Sequence, residues 1–193
     1  MNQLKQHIKF GEVYRRSDLE YYSNSIDRHL AELTSEGVLV KVNQGLYYVP
    51  RKSKFGLVPP SDEKLIERFL KDEDFILLSP NSYNSLGLGL TQLYNITWVY
   101  NHKRKGKFEL NGKDFEFKLK ASFPKRITKE FLLVDLLNQL EYLAEEQDII
   151  LTKLPNKLKE YHLTDLMKVT QKYGSGSTKR ILKSLIRKNI YYE

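Results

Sequence analysis

Cysteine is absent from the 193 residues, which removes disulfides, thiolate nucleophiles and every cysteine-based zinc or iron-sulfur site and fits a reducing compartment. Glycine and proline are sparse, at 10 and 6 residues, so the composition is neither fibrous nor disordered. No apolar run approaches the roughly 20 residues needed to cross a bilayer. Residues 1–10 carry Lys5 and Lys9 among polar side chains and hold no apolar stretch, so they do not read as a signal peptide. Together these absences predict a cytoplasmic globular protein with no membrane partner.

Enzyme signatures are also scarce. His7, His29, His102 and His162 are scattered, with no two at helical ligand spacing. Gly87-Leu88-Gly89-Leu90 lacks the third glycine and the Lys-Ser/Thr ending of a phosphate-cradling loop, and no G-x-S-x-G elbow is present. The expectation is therefore no catalytic residue, no metal and no cofactor. One acidic pattern needs weighing: Asp114, Glu116 and Lys118 share one face of a strand, as in a metal-dependent nuclease with carboxylates on the metal and a lysine on the phosphate. The same alternation marks any solvated sheet face, and a nuclease would normally bring a second acidic ligand from another strand.

What is present is positive charge, unevenly spread. The net charge of +8 divides into +3 over residues 1–60, −2 over 61–152 and +7 over 153–193. Basic ends attract phosphate through counterion release, and they also serve simply as solvated faces. The loop from His102 to Lys107 and the C-terminal Lys179, Arg180, Lys183, Arg187 and Lys188 are further basic candidates.

Local patterns divide the chain into a helical start with a hairpin, a sheet-bearing middle and a helical end. Leu4 and Ile8 give a short first helix its stripe, and Gly11 stops it. Val13-Tyr14 reads as an extended link, and Ser17 as the N-cap of a second short helix. Ser23-Asn24-Ser25 introduces a third, whose Ile26, Leu30 and Leu33 recur at i, i+4 and i+7 before Gly37 ends it. Residues 38–42 and 46–49 are β-rich and joined by Asn43-Gln44-Gly45, a hairpin signal. Three helices followed by such a ribbon is the order of a winged helix-turn-helix over residues 1–58.

The segment 51–61, with Pro59-Pro60, reads as a linker to a second domain at 61–193. That domain is expected to open with a helix carrying Leu65, Ile66, Phe69 and Leu70. Strands follow near 75–78 and 96–100, then an antiparallel hairpin turning at Asn111-Gly112. After Pro124, Leu133, Leu136, Leu137 and Leu140 mark a helix, and two more bracket Gly174-Ser175-Gly176. The predicted class is α+β: an N-terminal winged helix-turn-helix, then a mixed α/β domain with an antiparallel sheet and C-terminal helices.

If Ile26, Leu30 and Leu33 face inward, the third helix turns Asn24, Ser25, Arg28 and His29 outward at its N-terminal end, the end from which recognition helices contact bases. Arg28 suits the fork of guanine acceptors, and Asn24 or Ser25 suits adenine or phosphate. Arg15, Arg16, Lys41, Asn43, Gln44, Arg51 and Lys52 suit phosphate contacts, which set register rather than sequence. The predicted partner is double-stranded operator DNA.

The run from Gly11 to Leu19, then Ile26-Asp27-Arg28-His29-Leu30, then Gly45-Leu46-Tyr47-Tyr48-Val49-Pro50 resembles the N-terminal winged helix of bacterial abortive-infection antitoxins of the AbiEi kind. The stretch from Leu77 to Thr91 is similar to that family's strand-helix segment, and the resemblance weakens after about Lys120. It implies a non-enzymatic antitoxin that represses its own operon and counteracts a nucleotidyltransferase-type toxin without a stable complex. Arg15, Arg16, Arg28 and the ribbon around Gln44 would then be DNA contacts, with residues from 61 onward opposing the toxin. A ligand-sensing one-component repressor is the alternative, and the nuclease a weaker one.

Overall fold

A computed structural model describes residues 2–191. It is mixed α+β, and its elements run α1 (Asn2–His7), β1 (Val13–Arg15), α2 (Arg16–Leu19), α3 (Ile26–Ser35), β2 (Val40–Asn43), β3 (Leu46–Tyr48), β4 (Arg51–Ser53), β5 (Gly56–Val58) and α4 (Asp62–Leu70). There follow β6 (Phe75–Leu78), β7 (Thr97–Asn101), β8 (Gly106–Leu110), β9 (Lys113–Leu119), α5 (Lys129–Gln139), α6 (Gln147–Leu158), α7 (Leu163–Tyr173) and α8 (Gly176–Tyr191). Short 3-10 segments occupy Glu20–Tyr22, Pro80–Leu86 and Leu140–Tyr142. Among the described residues no helix is long and apolar enough to cross a membrane. The chain forms two compact units: residues up to Phe75 with Lys103–Phe117, and Ile76–His102 with the chain from Lys118 on. The first unit thus extends past residue 58 to take in α4 and the β8–β9 hairpin.

In the first unit, Ile26, Leu30 and Leu33 of α3 join Leu4, Leu19, Leu39 and Val49 in one buried cluster, as the i, i+4, i+7 spacing requires. At the end of α3 the Val38 N–H donates to the Leu33 carbonyl at 2.9 Å and Gly37 N–H to Thr34 at 3.1 Å. This closure needs the positive φ of Gly37, +70°. Val13–Arg15 is a true strand rather than a link: it pairs antiparallel with β3, and the sheet order is β1-β3-β2. Ser17 does not cap α2. The helix begins two residues earlier than that cap implies, at Arg16, and the Asp18 carboxylate accepts the Arg15 N–H at 2.9 Å. Ser25 precedes α3 without a side-chain cap bond, and its N–H instead donates to Ser23 Oγ at 3.2 Å.

The stretch expected to be a linker is mostly a hairpin. Arg51 pairs with Val58, Lys52 with Leu57 and Ser53 with Gly56, and every residue from 51 to 58 is exposed. Pro59-Pro60 then ends β5, since neither proline can donate to a ladder. Ser61 Oγ accepts the Lys64 N–H at 3.4 Å and opens α4, which buries Leu65, Ile66, Phe69 and Leu70. The Asn111-Gly112 turn has both residues at positive φ, +53° and +72°, as the tight β8–β9 connection demands. Phe115 and Phe117 are buried beside it. The Phe69, Phe108 and Phe117 rings lie 5.1 to 5.3 Å apart.

In the second unit α5 is enclosed almost all round: every residue from Phe131 to Leu137 is buried, more than a one-sided leucine stripe implies. Helix α6 is additional to the helices expected from sequence: it carries Pro155 inside it, and Ile150, Leu154 and Leu158 bury one face at four-residue spacing. Asn138 of α5 holds the α7–α8 turn from both sides, donating to the Tyr173 carbonyl at 2.9 Å and accepting the Ser175 N–H at 2.7 Å.

The centre of this unit is polar. Asp135, 2% exposed, accepts the hydroxyls of Tyr83 and Tyr100 on one oxygen at 2.6 and 2.7 Å. Burial pushes its carboxyl above the ordinary aspartate range, while the two tyrosines, Lys118 and Lys120 pull the other way. The folded chain therefore holds that proton more tightly than the unfolded chain. The stability it contributes is complete below the ordinary aspartate value and declines as pH rises through the raised one. Asp135→Asn, whose amide oxygen can accept both hydroxyls, is expected to gain stability relative to the wild type as pH rises from about 4 to 7 in urea unfolding. Asp135→Ala removes the acceptor that both hydroxyls share and is expected to lose about 1–3 kcal/mol in the same measurement.

Candidate nucleic-acid interface

The predicted contact residues fall into two groups, those left in solvent and those already holding the fold. Asn24, Ser25 and Arg28 belong to the first: all three are exposed, and the Arg28 side chain keeps 70% of its surface in water while lying 3.8 Å from the Glu32 carboxylate. An ion pair so exposed contributes little and leaves the guanidinium available. Their outward aim follows from the buried stripe opposite, which fixes the rotation of α3. His29 is half-buried, its Nδ1 2.7 Å from Ser23 Oγ, so it helps shape the turn leading into the helix.

Arg15 and Arg16 belong to the second group. Arg15 is half-buried, and its Nε and Nη2 each donate at 2.6 Å, to the carbonyls of Arg68 and Phe69 at the C-terminal end of α4. Those carbonyls lack helical partners, and a cation there also meets the negative end of the helix dipole. Arg16 clamps Asp27 through Nε and Nη2 at 2.7 and 2.9 Å and reaches Glu20 through Nη1 at 2.8 Å. The hydrogen bond from Arg16 holds the Asp27 carboxyl below its ordinary value. Arg16 N–H also donates to the Gly45 carbonyl at 2.8 Å. The first turn of α3 and the β2–β3 turn are thus tied to one residue.

The β2–β3 turn is itself fastened. Asn43 Nδ2 donates to the Glu109 carbonyl at 3.4 Å while its Oδ1 accepts the Gln44 N–H at 2.6 Å. Lys41 and Gln44 remain exposed. Arg15, Asn43 and Gln44 line one pocket of about 250 Å³ with Arg104, Phe69 and Phe108. The open ribbon is β4–β5, where Lys52 and Lys54 stand in solvent, while the Arg51 guanidinium lies over the α-carbon of Gly11. Lys54 and Phe55, at the tip of this hairpin and exposed, lie outside the contact residues expected from sequence. The signal was a Ser-x-x-Gly turn between short runs, obscured because Arg51-Lys52-Ser53 contains no β-branched residue.

The other basic candidates are partly engaged. Lys103 forms an ion pair with Asp72 at 2.9 Å, and the Arg104 guanidinium stacks 4.3 Å from the Phe69 ring centre. On α8, Arg180, Lys183 and Arg187 are exposed and Lys179 is half-buried, while the side chain of Lys188 lies outside the described residues. Of the acidic strand pattern, Asp114 is exposed and Glu116 half-buried, whereas Lys118 donates to Gln139 at 3.1 Å and sits 3.5 Å from the Trp98 ring centre. Among the described residues no three His, Asp or Glu side chains gather where a metal ion could be held.

No family model matches the chain, and no curated protein matches it.

The Arg15 contacts yield a stability test. Arg15→Lys keeps the charge, but a single ammonium does not reproduce the fork that spans two carbonyls. It is expected to lower stability by about 1–2 kcal/mol in urea unfolding, and a variant as stable as the wild type would show the fork to be dispensable.

Proposed function

We propose that the chain is a DNA-binding regulator in which residues 1–58 act as a winged helix-turn-helix with α3 as the recognition helix. The observation that carries this reading is the exposed set Asn24, Ser25 and Arg28 at the N-terminal end of α3, a helix held rigidly by its buried opposite face and by the Arg16–Asp27 clamp. An exposed arginine, a small amide and a hydroxyl at that end match the donors and acceptors of base edges in a major groove. The phosphate contacts then fall first to Lys41, Gln44 and Lys52, which are exposed, whereas Arg15 and Arg16 are each held by partners within the protein.

On the resemblance to AbiEi-type antitoxins, the regulator is a non-enzymatic antitoxin that represses its own operon and counteracts a nucleotidyltransferase-type toxin through residues from 61 onward. The ligand-sensing alternative draws less support. The apolar groove of α7 and α8, lined by Leu163, Met167 and Ile186, is shallow and open rather than an enclosure with converging polar groups.

The experiment is fluorescence anisotropy with a labelled duplex spanning the promoter of the chain's own operon, titrated across salt. Arg28→Ala is expected to weaken binding by about 1–3 kcal/mol and to relax base preference at one position. Lys41→Ala is expected to weaken all sequences alike and to reduce the salt slope by about 0.9. Uniform losses that ignore both salt and sequence would remove the DNA-binding reading.

A further inference from the structure

The β4–β5 hairpin is built unlike the rest of the first unit. Phe55 at its tip is 100% exposed, and Leu57 and Val58 are 60% and 42% exposed. None of its eight residues is buried. Two-stranded hairpins hold together poorly by themselves, so a bare one needs local reinforcement. Here the turn is locked: Phe55 N–H donates to Ser53 Oγ at 3.1 Å, and that hydroxyl donates to the Gly56 carbonyl at 2.9 Å. Gly56 sits at φ +113°, where a side chain is strained. At its root, Arg51 lies over Gly11, whose own N–H donates to the Val49 carbonyl at 2.7 Å. An aromatic ring is thus presented to water on a firmly set turn.

The surroundings of that ring select an occupant. Residues 51–60 contain three cations and no acid. Lys52 and Leu57 are cross-strand partners and so share one face, and Lys54 adjoins Phe55 in the turn. Ammoniums beside an apolar edge match a DNA minor groove, whose rims are phosphates and whose walls are deoxyribose. An aromatic tip matches the apolar wedges that architectural proteins push between base steps. Five residues separate Gly45 from Arg51, at most about 22 Å of extended chain. Arg16 ties the Gly45 turn to Asp27 of α3, so the root of the ribbon starts within that length of the α3 entry, less than one duplex turn of about 34 Å.

We infer that residues 51–58 form a minor-groove ribbon, with Lys52 and Lys54 on the phosphate rims and Phe55 as a wedge that partly unstacks a base step and bends the DNA. This rests on the DNA-binding reading above. It adds a second contact element, at a different place from α3 and with a different readout.

The test uses the full chain and the promoter duplex, about 30 base pairs or nearly three turns, with donor and acceptor dyes at its ends to report bending. Wild type is expected to shorten the end-to-end distance on binding. Phe55→Ala, which alters a side chain making no internal contact, is expected to bind roughly 5- to 100-fold more weakly and to leave the duplex straight, with an unchanged salt slope. Phe55→Trp is expected to restore the bend. Lys52→Ala with Lys54→Ala is expected to lower the salt slope by about 2. If Phe55→Ala binds and bends the duplex as wild type does, the ribbon inference is overturned while the α3 reading stands. If wild type binds no duplex even at low salt, the DNA-binding reading fails first and takes the ribbon with it.

Discussion

Helix α4 ends at Leu70 with carbonyls that its own backbone leaves unpaired, and the Arg15 guanidinium, more than fifty residues earlier, satisfies two of them. This fork sets much of the first unit. It draws β1 onto α4, where Glu12 and Lys64 add an ion pair at 2.7 Å, and Lys113 of β9 reaches Asp62 at 2.9 Å at the other end of the helix. Residues on either side of Pro59-Pro60 therefore share one body. The same fork fixes the Arg15 guanidinium against the end of α4, using two of its five N–H donors on neutral carbonyls.

Arg16 carries the next consequence. By holding Asp27 through its side chain and Gly45 through its N–H, it fixes the entry to α3 against the β2–β3 turn. The exposed arc of α3 thus lies on a preorganised end of the molecule, whose side chains need little ordering when they meet a partner. The proposed interface draws its charge from Arg28, Lys41, Lys52 and Lys54, each exposed. The two adjacent arginines that dominate the sequence there are structural.

The second unit is organised by a different constraint. Enclosing α5 on nearly every side buries Asp135, and the two tyrosine hydroxyls aimed at one of its oxygens, with the charges of Lys118 and Lys120, offset the cost of that burial. Such a network favours one register of α5 against its neighbours, because a shift by one residue would take the Asp135 carboxylate away from both hydroxyls. Asn138, one helical turn further along α5, extends the same logic to the α7–α8 connection by using both ends of its amide.

Features set by neighbours in sequence were legible. The stripe of α3, the Ser61 start of α4, the Gly37 stop and the Asn111-Gly112 turn all follow from local periodicity or from backbone angles that few residues adopt. The exposure of Asn24, Ser25 and Arg28 followed as well, since burying one face of a helix dictates the other. Three features escaped for specific reasons. The β4–β5 hairpin has no buried face to impose alternation, α6 carries a proline that argues against a helix, and α5 is buried beyond its stripe because partners cover its remaining sides. Which cations remain available could be decided only by folding. A guanidinium's partners are backbone oxygens and carboxylates brought in from distant parts of the chain, and no local pattern records where those oxygens end up.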